Sequence, residues 1–482
     1  MKFGIKVGML GLFLAAAGGV LAAKPLMVED LKGPQRVEAL LELGAVRPFS
    51  HDGLFDADPK EETAAVDLKL SEMVALAQKT RLEGALDQER VNEALGRSSQ
   101  ALSFLLPQLE GGISQSRTFK QNLEAQGMRG YGVIGPYNTF DARLRLVQKI
   151  IDISAVARFR SGRAEVNIAR YQEEFTRQKI VLSASLLYLD ALRAQGSFQA
   201  AEAAVALSER LLRQAEARRQ AGTAAGIDVA RARTRLAEDQ LRLERSRTGL
   251  HDTYLELQRW TRIPYERSIR LLNVLCFVRE PVPSIAEGMA IAAKNRIDMR
   301  IVAERVHAAE CSLTRSRGER LPVVSVSADY GVSGNEPKEN DRRTSGVMVG
   351  ATMPLLEGGR IAGEAREALS LKRQAELMRD DLARQVEEDV RKAMWAMTDS
   401  AAQVDTAARV VELSRQEMDL ASHRFAEGVA DNIEVVSAQA SLARARDEYV
   451  AALTQYHAAR MNLDFALGEP GLFYLQDAIK KE

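Results

Sequence analysis

The sequence predicts a mainly α-helical chain with a smaller β part, organised as one unit used twice. Three observations predict this. Long stretches repeat apolar residues every 3.6 positions, four short segments alternate apolar with polar residues, and the chain resembles itself at a spacing of 206 to 215 residues.

Composition narrows the class before any motif is read. The 66 basic and 66 acidic side chains cancel, which argues against a nucleic-acid partner. A mean hydropathy of -0.20 excludes a polytopic helical membrane protein. Two cysteines, Cys276 and Cys311, cannot build a disulfide framework or a zinc site, and both are expected to be buried free thiols. The five histidines are scattered without ligand spacing, and no nucleotide or nucleophile motif occurs, so no enzyme activity, metal or cofactor is expected.

Residues 1–23 depart from this pattern. Lys2 and Lys6 precede an uncharged apolar run from Val7 to Val20, followed by small-residue cleavage options at Ala22 or Ala23. That is the layout of a secretory signal peptide, and the run is short for a membrane anchor. Residues 24–65 have no copy elsewhere and read as an N-terminal extension.

The duplication pairs Ala75–Arg81 with Ala290–Arg296, and Leu106-Pro107 with Leu321-Pro322. At an offset of 206, Gly222 meets Gly428, Ile227-Asp228-Val229 meets Ile433-Glu434-Val435, and Pro264 meets Pro470. The units are residues 66–265 and 284–470, joined by a linker at 266–283 and followed by a tail at 471–482. The offset changes between Pro107 and Ile150, so the first copy carries the longer loop there.

Each copy is expected to open with one helix of about 35–40 residues that stops before Leu-Pro. Hairpins follow at residues 107–151 and 322–356. Val324, Val326, Ala328, Tyr330 and Val332 alternate with polar or small residues, as do Ala142, Leu144 and Leu146 with Arg143 and Arg145. Alternation alone fits either a membrane barrel wall or a hairpin on a soluble core; the export signal tips the reading to the outer membrane. Four strands cannot close a barrel, and an open sheet edge cannot face lipid, so several chains must share one.

After each hairpin the helical period returns. Leu382, Val386, Val390, Ala393, Met397, Ala401, Val404, Ala408 and Val411 form one stripe at a mean step of about 3.6, predicting a nearly straight helix. The first-copy counterpart, residues 155–219, spans about 95 Å at 1.5 Å per residue. A coiled-coil rod or periplasmic adaptor without a lumen is the alternative, but neither needs the four strands. Both long helices break at small-residue turns, where Gly222, Gly226 and Gly428 suit helix C-termini. Asp228 and Glu434 then fall in the first turn of the next helix, where the dipole favours a carboxylate.

The export signal, the duplicated helix–hairpin–helix order, Leu105-Leu106-Pro107, Tyr188-Leu189-Asp190-Ala191-Leu192 and Arg424-Phe425-x2-Gly428-x4-Ile433-Glu434-Val435 together resemble the TolC-like outer membrane efflux protein family. The resemblance covers residues 66–470. It implies a homotrimer sharing a twelve-stranded barrel in outer membrane lipid, with a long α-helical barrel through the periplasm. It implies partners as well: a periplasmic adaptor protein and an inner-membrane RND or ABC transporter. The turns at Gly222, Gly226 and Gly428 would dock the adaptor, and Asp228, Glu434, Ser437, Arg218 and Phe425 would surround the periplasmic aperture. Ser437 stands where the family often has a second Asp, and Phe425 lacks the hydroxyl of the Tyr often found there.

Overall fold

Each of the two repeats is a short helix, a medium helix, an antiparallel hairpin and two long helices. The computed structural model describes residues 66–122, 132–222, 225–273, 275–337, 342–427, 429 and 432–469. These residues fall within one of the chain's two units, His51–Glu482. The export signal, the extension before residue 66, Gly428 and the tail lie outside the described residues.

The first repeat contains α1 (Leu70–Thr80), α2 (Leu82–Ser103), the strands β2 (Gln108–Thr118) and β5 (Tyr137–Ile151), α3 (Ile153–Gln220) and α4 (Gly226–Thr261). The second contains α5 (Ile285–Asn295), α6 (Ile297–Gly318), β7 (Val323–Gly334), β8 (Arg342–Thr352), α7 (Arg360–Ala426) and α8 (Asn432–Leu467). Corresponding helices agree closely in length, at 11, 22, 68 and 36 residues against 11, 22, 67 and 36. The two-fold repeat read from the sequence is therefore a repeat of structure. No described helix is long and apolar enough to cross a membrane.

Two expectations need correction here. The opening helix of each copy is not continuous: it breaks at Arg81 and at Arg296, both in extended backbone. Arg81 lies 4.0 Å over the Trp260 ring, and buried Arg296 pairs with Asp298 at 2.6 Å and Asp389 at 3.3 Å. Asp298 is local, but Trp260 and Asp389 are distant in sequence, so apolar periodicity alone could not register the breaks. The linker contributes a strand that the sequence reading did not foresee: β6 (Ile269–Leu271) pairs in parallel with β1 (Val66–Leu68). Cys276 is exposed, whereas Cys311 is buried.

The seam of α7 also differs from the expected stripe. Val386, Val390, Ala393, Met397, Ala401 and Val404 are buried, but Ala408 is exposed. From Val404 the seam runs through half-buried Ala407 and Val411, then buried Ser414, Met418, Ala421 and Phe425, alternating steps of three and four. That is a heptad spacing, which keeps one face towards a partner through a left-handed supercoil.

The sheet order is β2-β5-β7-β8, antiparallel throughout, so the two repeats meet at β5–β7. Residues directly opposite share a face. The row Leu109, Leu146, Ala328, Val347 is apolar on all four strands. The next row, Glu110, Arg145, Asp329, Gly346, is charged or small, and Gly112, Arg143, Gly331, Thr344 share its face two positions on. The first hairpin extends into a short ladder of β3 (Gln121–Asn122) with β4 (Val133–Ile134) in its longer loop.

Asp152 starts α3 by accepting from the Ala155 N–H at 2.9 Å and the Ser154 hydroxyl at 2.6 Å. Burial opposes its charge, but hydrogen bonds from Ser154, Ala155 and Lys149 outweigh it and hold the carboxyl below its ordinary range. The cores sit where the short helices meet the long ones. Tyr188 and Tyr456, both fully buried, donate to the carbonyls of Leu68 at 3.0 Å and Val278 at 2.7 Å.

Asp464 on α8 provides a pH test of this region. Burial pushes its carboxyl up to about 6; Arg460 opposes the shift, and Glu280 and Glu469 add to it. A raised carboxyl takes up a proton on folding between the two values, so its contribution to stability falls as pH rises from about 4 to about 6. Asp464→Asn is therefore expected to stabilise the protein by about 1–3 kcal/mol at pH 7.5 and to change little at pH 4. Thermal melts at the two pH values check this, and an equal effect at both would contradict it.

Candidate functional site

The candidate site is the end of the two helical hairpins, where α3 turns into α4 and α7 into α8. Gly222 follows the last turn of α3 with φ of 76°, a left-handed conformation that glycine adopts without strain. Gly226 does not end a helix, as its spacing suggested, but begins α4. Asp228 reaches back to the Ala225 N–H at 3.2 Å and lies 3.9 Å from Arg231. Its role in the structure is the capping one that the helix dipole favours.

The equivalent positions of the second repeat behave differently. Arg424 pairs with Glu434 at 3.5 Å, within one hairpin. Its counterpart Arg218 instead crosses between repeats: Nη2 donates to the Phe425 carbonyl at 2.5 Å, and the guanidinium lies 4.0 Å over the Phe425 ring. The missing tyrosine hydroxyl is thus bypassed, since the main chain accepts the bond and the aromatic face receives the cation. Phe425 is buried with Met418, Ala421, Val435, Ala438 and Leu442, and Leu207 and Leu211 of α3 pack on this cluster. The second hairpin therefore completes its core with leucines from the first.

Glu434 and Ser437 line an open groove between α7 and α8 with Leu413, Leu420, Arg424 and Ile433. Arg218 and Phe425 are brought together, as are Glu434 and Ser437, whereas Asp228 is tied to its own hairpin. Among the described residues, no cluster of His, Cys, Asp or Glu could hold a metal ion.

Further along the hairpins lies a polar cluster that the sequence reading missed. Ser208 of α3, Asp239 of α4 and Gln439 of α8 are buried together and hydrogen-bonded. A signal existed. Ala201, Ser208 and Ala215 are buried seven residues apart, Asp239 lies seven after buried Ala232, and Gln439 sits between buried Val435 and Leu442. Polar residues at seam positions are the features to look for in such helices.

Known proteins place this architecture. The family model for "Outer membrane efflux protein" matches residues 79–261 and 289–469. The alkaline protease secretion protein AprF of Pseudomonas aeruginosa is 25% identical over 85% of this chain and 86% of its own. Outer membrane protein TolC of Escherichia coli is 22% identical over 86% of this chain and 88% of its own. The solved CmeC outer membrane channel of Campylobacter jejuni shares the fold, with a TM-score of 0.73 at 18% identity over 83% of this chain and 86% of that one. With the family match extending through both repeats, the chain belongs to the outer membrane efflux protein family.

Proposed function

We propose that the chain is one third of a trimeric outer membrane channel-tunnel, an export conduit and not an enzyme. The observation that carries this is the alternation of whole sheet rows, Leu109–Leu146–Ala328–Val347 apolar and Glu110–Arg145–Asp329–Gly346 polar. One such face suits lipid and the other a watery lumen. Strands β2 and β8 end the four-stranded sheet, so three antiparallel sets of four close a twelve-stranded barrel without an unpaired edge. Helices of 68 and 67 residues extend about 100 Å at 1.5 Å per residue and form the periplasmic tunnel.

The helical turns dock a periplasmic adaptor, which joins the tunnel to an inner-membrane RND or ABC transporter. Cargo choice lies with that pump. Arg218, Phe425, Asp228, Glu434 and Ser437 surround the aperture, where three symmetry-related Glu434 carboxylates attract cations. Extraction of heat-sensitive trimers from outer membranes, and conductance from them in planar bilayers, supports the reading; a soluble periplasmic monomer rejects it. In the same recordings Glu434→Ala is expected to lower the cation-to-anion permeability ratio by roughly twofold. An unchanged reversal potential under a salt gradient would remove Glu434 from the aperture.

A further inference from the structure

We propose that the buried Ser208–Asp239–Gln439 knot fixes the resting register between the two helical hairpins, making Gln439 a positioning residue for the aperture. The proposal rests on the channel reading above. Asp239 is 1% exposed, and Ser208 and Gln439 are each 2% exposed. The Ser208 hydroxyl donates to Asp239 Oδ2 at 2.5 Å and accepts from Gln439 Nε2 at 2.6 Å. The same Gln439 nitrogen lies 3.3 Å from Asp239 Oδ2. Arg235 Nη2 stands 3.0 Å from the other carboxylate oxygen.

The division of labour is uneven. Ser208, Arg235 and Asp239 belong to the first repeat and hold one another whether or not the second is near. Gln439 is the member supplied by the second repeat, and its amide NH2 carries the tie, since its Oε1 has no hydrogen-bond partner among the described residues. Gln439 also lines a cavity of about 20 Å³ with Ala200, Ala204, Leu207 and Leu442, beside the half-exposed Arg242–Asp447 pair that spans the repeats at 3.4 Å. A solvent-exposed ion pair adds little. The alanine contacts tolerate sliding, because one methyl contact replaces another. A buried carboxylate does not, because each donor it loses leaves charge without compensation. A buried polar seam position therefore selects one register among many that the alanines would accept.

That register is the one in which Arg218 reaches Phe425 at the tip. Any movement of the α7–α8 hairpin away from α3 must first withdraw Gln439 from Ser208 and Asp239. The knot thus acts as a catch behind the tip contacts, joining the two repeats of one protomer.

The test uses the purified full-length protein in planar bilayers, with thermal melting of the same samples. Gln439→Leu keeps the volume and leaves the first-repeat members paired; it is expected to raise the open probability about tenfold, as loss of a buried hydrogen bond to a charged group implies. Gln439→Glu sets a second carboxylate beside Asp239 and is expected to raise it further, while Ser208→Ala moves it in the same direction. Variants that melt earlier but open as rarely as the parent would overturn the proposal, reducing the knot to a structural contact. So would unchanged opening in all three variants. A parent protein that forms no pores would instead overturn the channel reading itself, and this proposal with it.

Discussion

Replacing Val347 with Arg is expected to abolish assembly of the outer membrane form. Val347 is the middle residue of β8, lies in the apolar row with Leu109, Leu146 and Ala328, and is 67% exposed in the single chain. If that face meets lipid, an arginine there costs about 2–4 kcal/mol, and a trimer bears the cost three times, roughly 6–12 kcal/mol together. The control is the neighbouring residue. Met348 pairs with Ser327 on the opposite face, so Met348→Arg points into the lumen and is expected to be tolerated. The measurement is the fraction of heat-modifiable trimer in outer membranes for each variant. Equal tolerance of both would show that neither face meets lipid.

Gly331→Ala is expected to destabilise the protein by about 2–4 kcal/mol, a large effect for one methyl group. Gly331 lies on β7 directly opposite Arg143 of β5, where the hairpins of the two repeats join. A Cβ there would meet the Ala142 carbonyl oxygen and Arg143 Cβ at 2.5 Å, and Arg143 Cα at 2.8 Å. Two of these atoms are main chain and the third is fixed to it, so no rotamer change relieves the contact. Arg143 is further held by Asp141 at 2.6 Å and Asp329 at 3.4 Å. Gly350→Ala on β8 is the control, since an added Cβ there meets nothing within 4 Å. Thermal melts of detergent-extracted protein compare them; equal midpoints would show that the β5–β7 junction can spread at little cost.

Much of the fold was legible because its signals are local and repeated. The period of two in Val324–Val332, the change to 3.6 after each hairpin and the proline stops each involve residues within one turn or strand. The site was legible only where a residue's task is also local. Asp228 caps its own helix and Gly222 ends one, and both tasks show in the adjoining sequence. Arg218 and Arg424 occupy matching positions of the duplication, yet one reaches across to Phe425 and the other stays with Glu434. Sequence symmetry gives no means of telling them apart.

By itself the sequence determined the long helices and the four long strands, their order, their doubling and which residues share a face of each strand, because backbone sterics and apolar periodicity act over a few residues. Tertiary structure alone decided the breaks at Arg81 and Arg296, the β1–β6 pairing, the heptad drift of the α7 seam, and the union of Ser208, Asp239 and Gln439. Trp260 against Arg81, Asp389 against Arg296 and β6 against β1 lie far apart in the chain, and Gln439 meets Ser208 and Asp239 across the repeats. Such contacts rest on burial and charge pairing that exist only once distant elements have packed.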